Sequence, residues 1–471
     1  MNPRGRWLQA LVLLLLTAAP EAQHDRVSAR SPQDGGDPSF AQGRVLDGAA
    51  LHVLPQRARA AAVNRMLEDR LDNLLPALMR EAGLDFWVVI NREYAEDPLY
   101  LTLVPEPVFA ARRTTMLVFH DRGGDKGVER LTVSRYPMPG FFEAAWEGGE
   151  ESEQWRRLGA LIAERDPRRI GVNTSRDWAF GDGLSSGMRD RLLEAVPKTH
   201  ASRIVSAERL AVRWLETRTA LELQAYPQAV ALARGVIAEA FSGRVITPGV
   251  TTSDDVAWYI RQRFADLDLP IWFQPYVNVQ RAGATKCDAS TAFCGDYGAV
   301  IERGDVLHTD VGITYLRLST DTQEMGYVLR LGETEPPAGL RKALAVGNRW
   351  QDLLTAEFRT GRTGNEVLAG LQAAARRESI QHNTYTHPIG FHGHGAGATI
   401  GMWDAKGAAI PVQGDWKIHP NTGFSIEGSV RVPVPEWNGQ NVEIKLEQTS
   451  VFDGERVMYL AGRQTRWHVV R

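Results

Sequence analysis

Gly304-Asp305-Val306-Leu307-His308-Thr309-Asp310-Val311-Gly312, running on through Ile313 to Asp321, is the stretch whose reading decides the fold. Val306, His308 and Asp310 alternate with Leu307, Thr309 and Val311, the period of a strand. His308 and Asp310 therefore share a face. Tyr315-Leu316-Arg317-Leu318-Ser319-Thr320 reads as a second strand, ended by Asp321. In such a hairpin Asp310 and Asp321 come near each other across the ladder. Two carboxylates that close repel unless a cation lies between them, and a divalent metal is the usual one. Two solvated hairpin aspartates are the plain alternative, exposed aspartate being the common case.

Downstream, Thr386-His387-Pro388-Ile389-Gly390-Phe391-His392-Gly393-His394-Gly395-Ala396-Gly397 holds three histidines and four glycines. Glycine lets backbone approach a ligand closely, and histidine is the common metal ligand among groups that titrate near neutrality. Two glutamates then sit in strand-like runs, Glu427 in Phe424-Ser425-Ile426-Glu427-Gly428 and Glu447 in Ile444-Lys445-Leu446-Glu447. Either one alone reads as an outward-facing strand residue.

Taken in order, Asp310, Asp321, His394, Glu427 and Glu447 resemble the creatinase, prolidase and aminopeptidase P group of metallopeptidases, which includes the methionine aminopeptidases. The eleven-residue step between the aspartates, Gly393-His394-Gly395-Ala396-Gly397, Asn421 to Glu427 and the final Glu447 carry the likeness, which covers about residues 217–471. The resemblance implies a pita-bread catalytic domain with two divalent ions. Asp310 would hold one ion, Asp321 and Glu447 would bridge both, and His394 and Glu427 would complete the other. His392 is the alternative to His394. Oxygen-rich ligation with one imidazole suits Mn²⁺, with Co²⁺, Zn²⁺ or Fe²⁺ also fitting. Two ions about 3.5–4 Å apart can hold a hydroxide and polarise a carbonyl, and Glu427 is the candidate to take the water's proton.

Two departures stand out. The group often carries a substrate-contacting histidine upstream of the first aspartate, yet residues 277–305 contain none. It often carries another seven residues after the metal histidine, and counting from His394 reaches Gly401. His387, His392 and His308 are left as substitutes, so His387 and His392 join Glu427 as candidate catalytic residues. The implied activity is that of an exported aminopeptidase or dipeptidase of the Xaa-Pro type acting on small peptides. Hydrolysis of a non-peptide C–N bond, or binding without turnover, are the other readings.

The rest of the chain frames this. With 43% hydrophobic and 24% charged residues and a net charge of −3, the 471 residues describe an ordinary globular protein with no footprint for nucleic acid. Residues 1–22 have the layout of a signal peptide: Arg4 and Arg6, an apolar run from Leu8 to Ala18, then small residues. Periplasmic or secreted export, with no membrane span after processing, is expected. Residues 23–50, rich in Ser, Pro, Gly and Asp, read as a disordered lead-in. Strands alternating with helices over 51–212 indicate a smaller α/β domain, and 217–471 an α+β catalytic domain. Pro76 is expected to kink a helix over 60–83. Thr363 and Glu366 predict a capping box. Cys287 and Cys294, the only cysteines, permit a disulfide or two free thiols. Dimers are common in the resembled group, though nothing in these residues demands a homodimer.

Overall fold

The structure, a computed structural model, describes residues 51–288 and 290–471. The expected signal segment and lead-in lie outside the described residues. The chain opens with the helix Gln56–Asp69, a π-type turn Arg70–Leu74 and the helix Leu75–Ala82, closed by Gly83 at φ 67°. Pro76 stands in the first turn of the last piece. Its missing N–H cannot continue the regular ladder, and the turn before it widens instead of merely bending.

Six strands from residues 86–206 form a first sheet. Its centre is Phe86–Arg92, antiparallel to Thr114–Asp121 on one side and parallel to Ile170–Val172 on the other. The helix Glu151–Arg165 puts Trp155, Leu158, Leu161 and Ile162 against one face of this sheet. Glu208–Glu216 puts Leu210, Ala211 and Trp214 against the other.

A nine-stranded sheet follows. Its main path runs His382–Thr384, Thr422–Val434, Gln440–Phe452, Thr322–Val328, Val306–Val311, Tyr276–Gln280. Helices Ala220–Ala240 and Ser253–Asp266 cover Val277, Val279, Leu307 and Val311 at one end of it. Helices Ala338–Thr355 and Gly364–Arg377 cover Phe424, Ile426, Ile444 and Leu446 at the other. Thr363 and Glu366 form the expected reciprocal cap. Because strand side chains alternate, sending Leu307, Val311, Phe424, Ile426 and Leu446 to the helices turns His308, Asp310, Ser425, Glu427 and Glu447 toward the other face.

The opening hairpin differs from the sequence expectation. The partner of Val306–Val311 is Thr322–Val328, with Asp310 opposite Gln323. Residues 315–320 are not that partner. They fold into a small finger, Thr314–Tyr315 against Leu318–Ser319, whose tip residues Leu316 and Arg317 take φ 53° and 63°. Two successive positive φ values make the tight turn that the twist of a hairpin favours. Asp310 and Asp321 still meet, because Asp321 directly precedes the true partner strand. The other neighbour of Val306–Val311 is the strand Tyr276–Gln280, and Cys287 and Cys294 beyond it form a disulfide.

Candidate metal centre

Strand register assembles one transverse row of side chains. Tyr276 lies opposite Asp310, Asp310 opposite Gln323, Gln323 opposite Glu447, and Glu447 opposite Glu427. Asp321 enters from the end of its strand, and His387 from a short strand that pairs it with Ser425. Asp310, Asp321, Glu447 and His387 are buried, and the Glu427 side chain keeps 20% of its exposure.

His387 is the hub. Its Nε2 lies 3.7 Å from Asp321 Oδ2, 3.6 Å from Glu427 Oε2 and 3.5 Å from Glu447 Oε1. Its Nδ1 is 3.0 Å from the Pro388 carbonyl, which can only accept. A proton therefore sits on Nδ1, and Nε2 is left facing the three carboxylates, the arrangement of a metal-binding imidazole. Three overlapping sets have their donor atoms within 4.8 Å of one another: Asp310, Asp321 and Glu447; His387, Glu427 and Glu447; Asp321, His387 and His394.

The remaining oxygens are held by the sheet. Tyr276 donates to Asp310 Oδ2 at 2.9 Å, and Ser425 donates to Glu447 Oε1 at 2.6 Å. Gln323 Nε2 donates to Glu447 Oε2 at 2.7 Å and to Glu427 Oε1 at 2.8 Å. With its amide nitrogen so used, Gln323 offers its oxygen to His308 Nε2 at 2.9 Å, and that nitrogen must carry the proton. What is left over is telling. Asp310 Oδ1, Asp321 Oδ1 and His387 Nε2 are buried with no hydrogen-bond partner. Orphaned buried acceptors are costly, and the residues that carry these three belong to overlapping sets that Glu427 and Glu447 complete. A divalent cation fits that donor set.

The electrostatics agree. Burial, and then the neighbouring Glu447, push the carboxyl groups of Asp310, Asp321 and Glu427 well above the ordinary carboxylate range. Burial holds the His308 imidazole well below its usual value, and Lys445 adds to this. Among the described residues no cation compensates the row fully. Lys445, buried and 3.7 Å from Glu443, offsets Asp310 and Glu427 only in part.

The histidine assignments change accordingly. His394, expected as the ligand, is exposed and reaches only the set it shares with Asp321 and His387. Its ring stands edge-on to His387 at 4.8 Å and to Trp272 at 5.1 Å. His387, expected only as a substitute, occupies the centre. The cause is the glycine-rich turn. Gly395 N–H bonds back to the Pro388 carbonyl at 2.8 Å, and a Cβ on Gly395 would lie 2.8 Å from that same oxygen. The chain doubles over, stacking His394 outside His387. Counting seven residues from His387 lands on His394, the spacing at which the resembled group often carries a second histidine. His392 belongs to none of the three sets; its ring stacks on Phe180 at 4.2 Å. His308 reaches the carboxylates only through Gln323. Sequence reasoning passed over Tyr276, Gln323 and Ser425. Gln323 and Ser425 each lie two residues from a named carboxylate, Asp321 and Glu427, the spacing that shares a strand face.

Residues 224–452 match metallopeptidase family M24. No curated protein matches the chain. Among solved structures, the X-Pro aminopeptidase from Thermotoga maritima MSB8 superposes with a TM-score of 0.59 at 16% identity, over 84% of this chain and 100% of that one. The Xaa-Pro dipeptidase from Bacillus anthracis gives 0.55 at 15%, over 88% and 100%. Dipeptidase PepE from Mycobacterium ulcerans gives 0.55 at 18%, over 87% and 98%. The long step between two aspartates, a histidine and two strand glutamates on one sheet face, and the match across 224–452 lead to one conclusion: this region belongs to metallopeptidase family M24 and has its pita-bread fold.

Proposed function

We propose that the chain is a dinuclear metallopeptidase that removes an N-terminal residue beside proline, or splits Xaa-Pro dipeptides. The convergence of three orphaned buried donors, from Asp310, Asp321 and His387, between Glu427 and Glu447 carries this reading. Asp310, Asp321, His387, Glu427 and Glu447 would hold two divalent ions. Four carboxylates with one imidazole favour Mn²⁺. When bound, such ions supply Lewis acidity toward a scissile carbonyl and a water acidic enough to attack at neutral pH.

The chain's own groups do the rest. Glu427, 20% exposed where Glu447 is 1%, is the carboxylate open to incoming water and takes its proton. His394 lies at the open edge. Its ring, edge-on to His387 at 4.8 Å, is available there to hydrogen-bond the substrate. Tyr276, Gln323 and Ser425 fix which oxygens face inward, limiting the reorganisation the site needs.

Export to an oxidising compartment belongs to the same proposal. It rests on the charged and apolar pattern of residues 1–22 and on the Cys287–Cys294 disulfide, a bond that persists in such compartments. The deciding experiment pairs metal analysis with a panel of Xaa-Pro peptides. About two ions per chain and release of the residue before proline are expected. Stoichiometric metal with turnover only of non-peptide amides would replace the peptidase by a C–N hydrolase. Absence of metal after Mn²⁺ reconstitution would point to binding without chemistry.

A further inference from the structure

The strand Thr422–Val434 is closed on one side of Glu427 and open on the other. Toward its start, Ser425 is buried, as are Thr449, Thr320 and Asp321 around it, and Trp272 seals them with a 2.9 Å hydrogen bond to the Thr320 carbonyl. Toward its end, Ser429 and Arg431 are half-buried and line a cavity of about 620 Å³. Ser429 and Arg431 share Glu427's face of the ladder, opposite Lys445 and Glu443. That face runs from the metal row toward the cavity, along which a bound substrate can extend.

The cavity is walled, not a bare surface dip. Arg431 donates to the carbonyls of Thr291 at 2.6 Å and Ala292 at 3.2 Å, drawing the disulfide loop over it. Cys294 N–H donates to Glu443 Oε2 at 2.9 Å. Phe293 meets Trp403 across the rim at 5.3 Å. Arg431 is thereby spent on the wall. Two further cations, Arg376 and Lys406, line the cavity beside the carboxylates of Asp404 and Glu443, and among the described residues neither cation has an ion-pair partner. Arg431 lies four positions beyond Glu427, ~14 Å at strand rise. An extended peptide covers that distance with roughly four residues.

We propose, resting on the peptidase reading, that this cavity is the subsite for the part of a peptide C-terminal to the cleaved bond, with Arg376 and Lys406 receiving its terminal carboxylate. The substrates it selects are then free-acid oligopeptides of about three to five residues, in preference to dipeptides.

The test uses the Mn²⁺-loaded full chain with Ala-Pro, Ala-Pro-Ala-Ala and the C-terminal amide of the latter, in wild type and in Arg376→Glu/Lys406→Glu. Both substituted residues are exposed and remote from the ligands. The tetrapeptide acid should show at least about tenfold higher kcat/KM than the dipeptide. Charge reversal should raise its KM about tenfold at unchanged kcat, leaving the dipeptide and the amide alone, the scale of two partly exposed ion pairs. Cleavage of both lengths with equal kcat/KM and no response to charge reversal would remove the subsite and leave the peptidase standing. No cleavage of any peptide, with calorimetric binding of the tetrapeptide acid that charge reversal abolishes, would keep the subsite and remove the peptidase. Neither cleavage nor binding would overturn both.

Discussion

Gln323 and Glu324 are neighbours on one strand, and the two faces they serve treat buried carboxylates in opposite ways. Glu324 is fully buried, and burial alone would raise its pKa. Arg234, 2.6 Å away, and His468 outweigh that and hold it at about 2. On the Gln323 face Lys445 offsets Asp310 and Glu427 only in part, and the carboxyl groups of Asp310, Asp321 and Glu427 are pushed well up. The fold thus can neutralise a buried acid with arginine, and does so one residue away. Where it leaves several acids uncompensated around orphaned lone pairs, the missing charge has to come from outside the chain.

The largest expected effects test which groups need that outside charge. Asp321→Ala and His387→Ala should each strip metal and cut activity by more than ~100-fold, beyond what outer-shell partners cost. His394→Ala should retain metal while losing turnover. Metal analysis beside kcat separates the two histidines, and metal loss in His394→Ala would reverse their roles.

Stability should split the faces next. Glu324→Gln leaves the Arg234 guanidinium buried without its counter-charge and should cost about 3–5 kcal/mol. Asp310→Asn in the metal-free protein relieves like-charge repulsion and should be neutral, or stabilising by up to ~1 kcal/mol. Denaturation midpoints of the chelated variants read this directly, and equal losses would erase the contrast.

The pH dependence has opposite signs on the two faces. Glu324 is held below 4.5, so its contribution is full above that value and is lost as pH falls through about 2. Asp310, Asp321 and Glu427 are held above 3.8–4.5, so the metal-free fold binds more protons than the unfolded chain, and stability falls as pH rises past the carboxylate range. Mn²⁺ should therefore displace protons on binding, measurable as buffer-dependent binding enthalpy. Binding without proton release would contradict the raised carboxyl groups.

Smaller effects belong to the positioning layer. Gln323→Ala should weaken metal affinity 10- to ~100-fold without unfolding the protein, read by competitive chelation. Least of all, Cys287→Ser with Cys294→Ser should leave metal binding intact and raise KM only for longer peptides, because it frees a wall of the cavity and touches no ligand.

The amino-acid sequence by itself determined much of this molecule. Alternation in 306–311 and the Thr363–Glu366 cap are local signals, and those elements appear where they point. Asp310, Asp321, Glu427 and Glu447 were legible together, through the order and spacing that carry the family resemblance; taken singly, each glutamate read as an outward-facing strand residue, and only the ladder pairing turned it toward the row. The histidine was not legible in that manner. His387, His392 and His394 lie within eight residues of one another in a turn without periodicity, and which of them enters the row depends on pairing to Ser425 and on the chain doubling back at Gly395. The finger at 314–319 likewise took a strand-like sequence out of the main ladder, because Thr322–Val328 offered the longer pairing. Gln323 acquired its place only when five strands aligned. Local pattern chose the elements and the carboxylates; contacts between residues far apart in the chain chose the histidine, the cavity wall and the one face left short of positive charge.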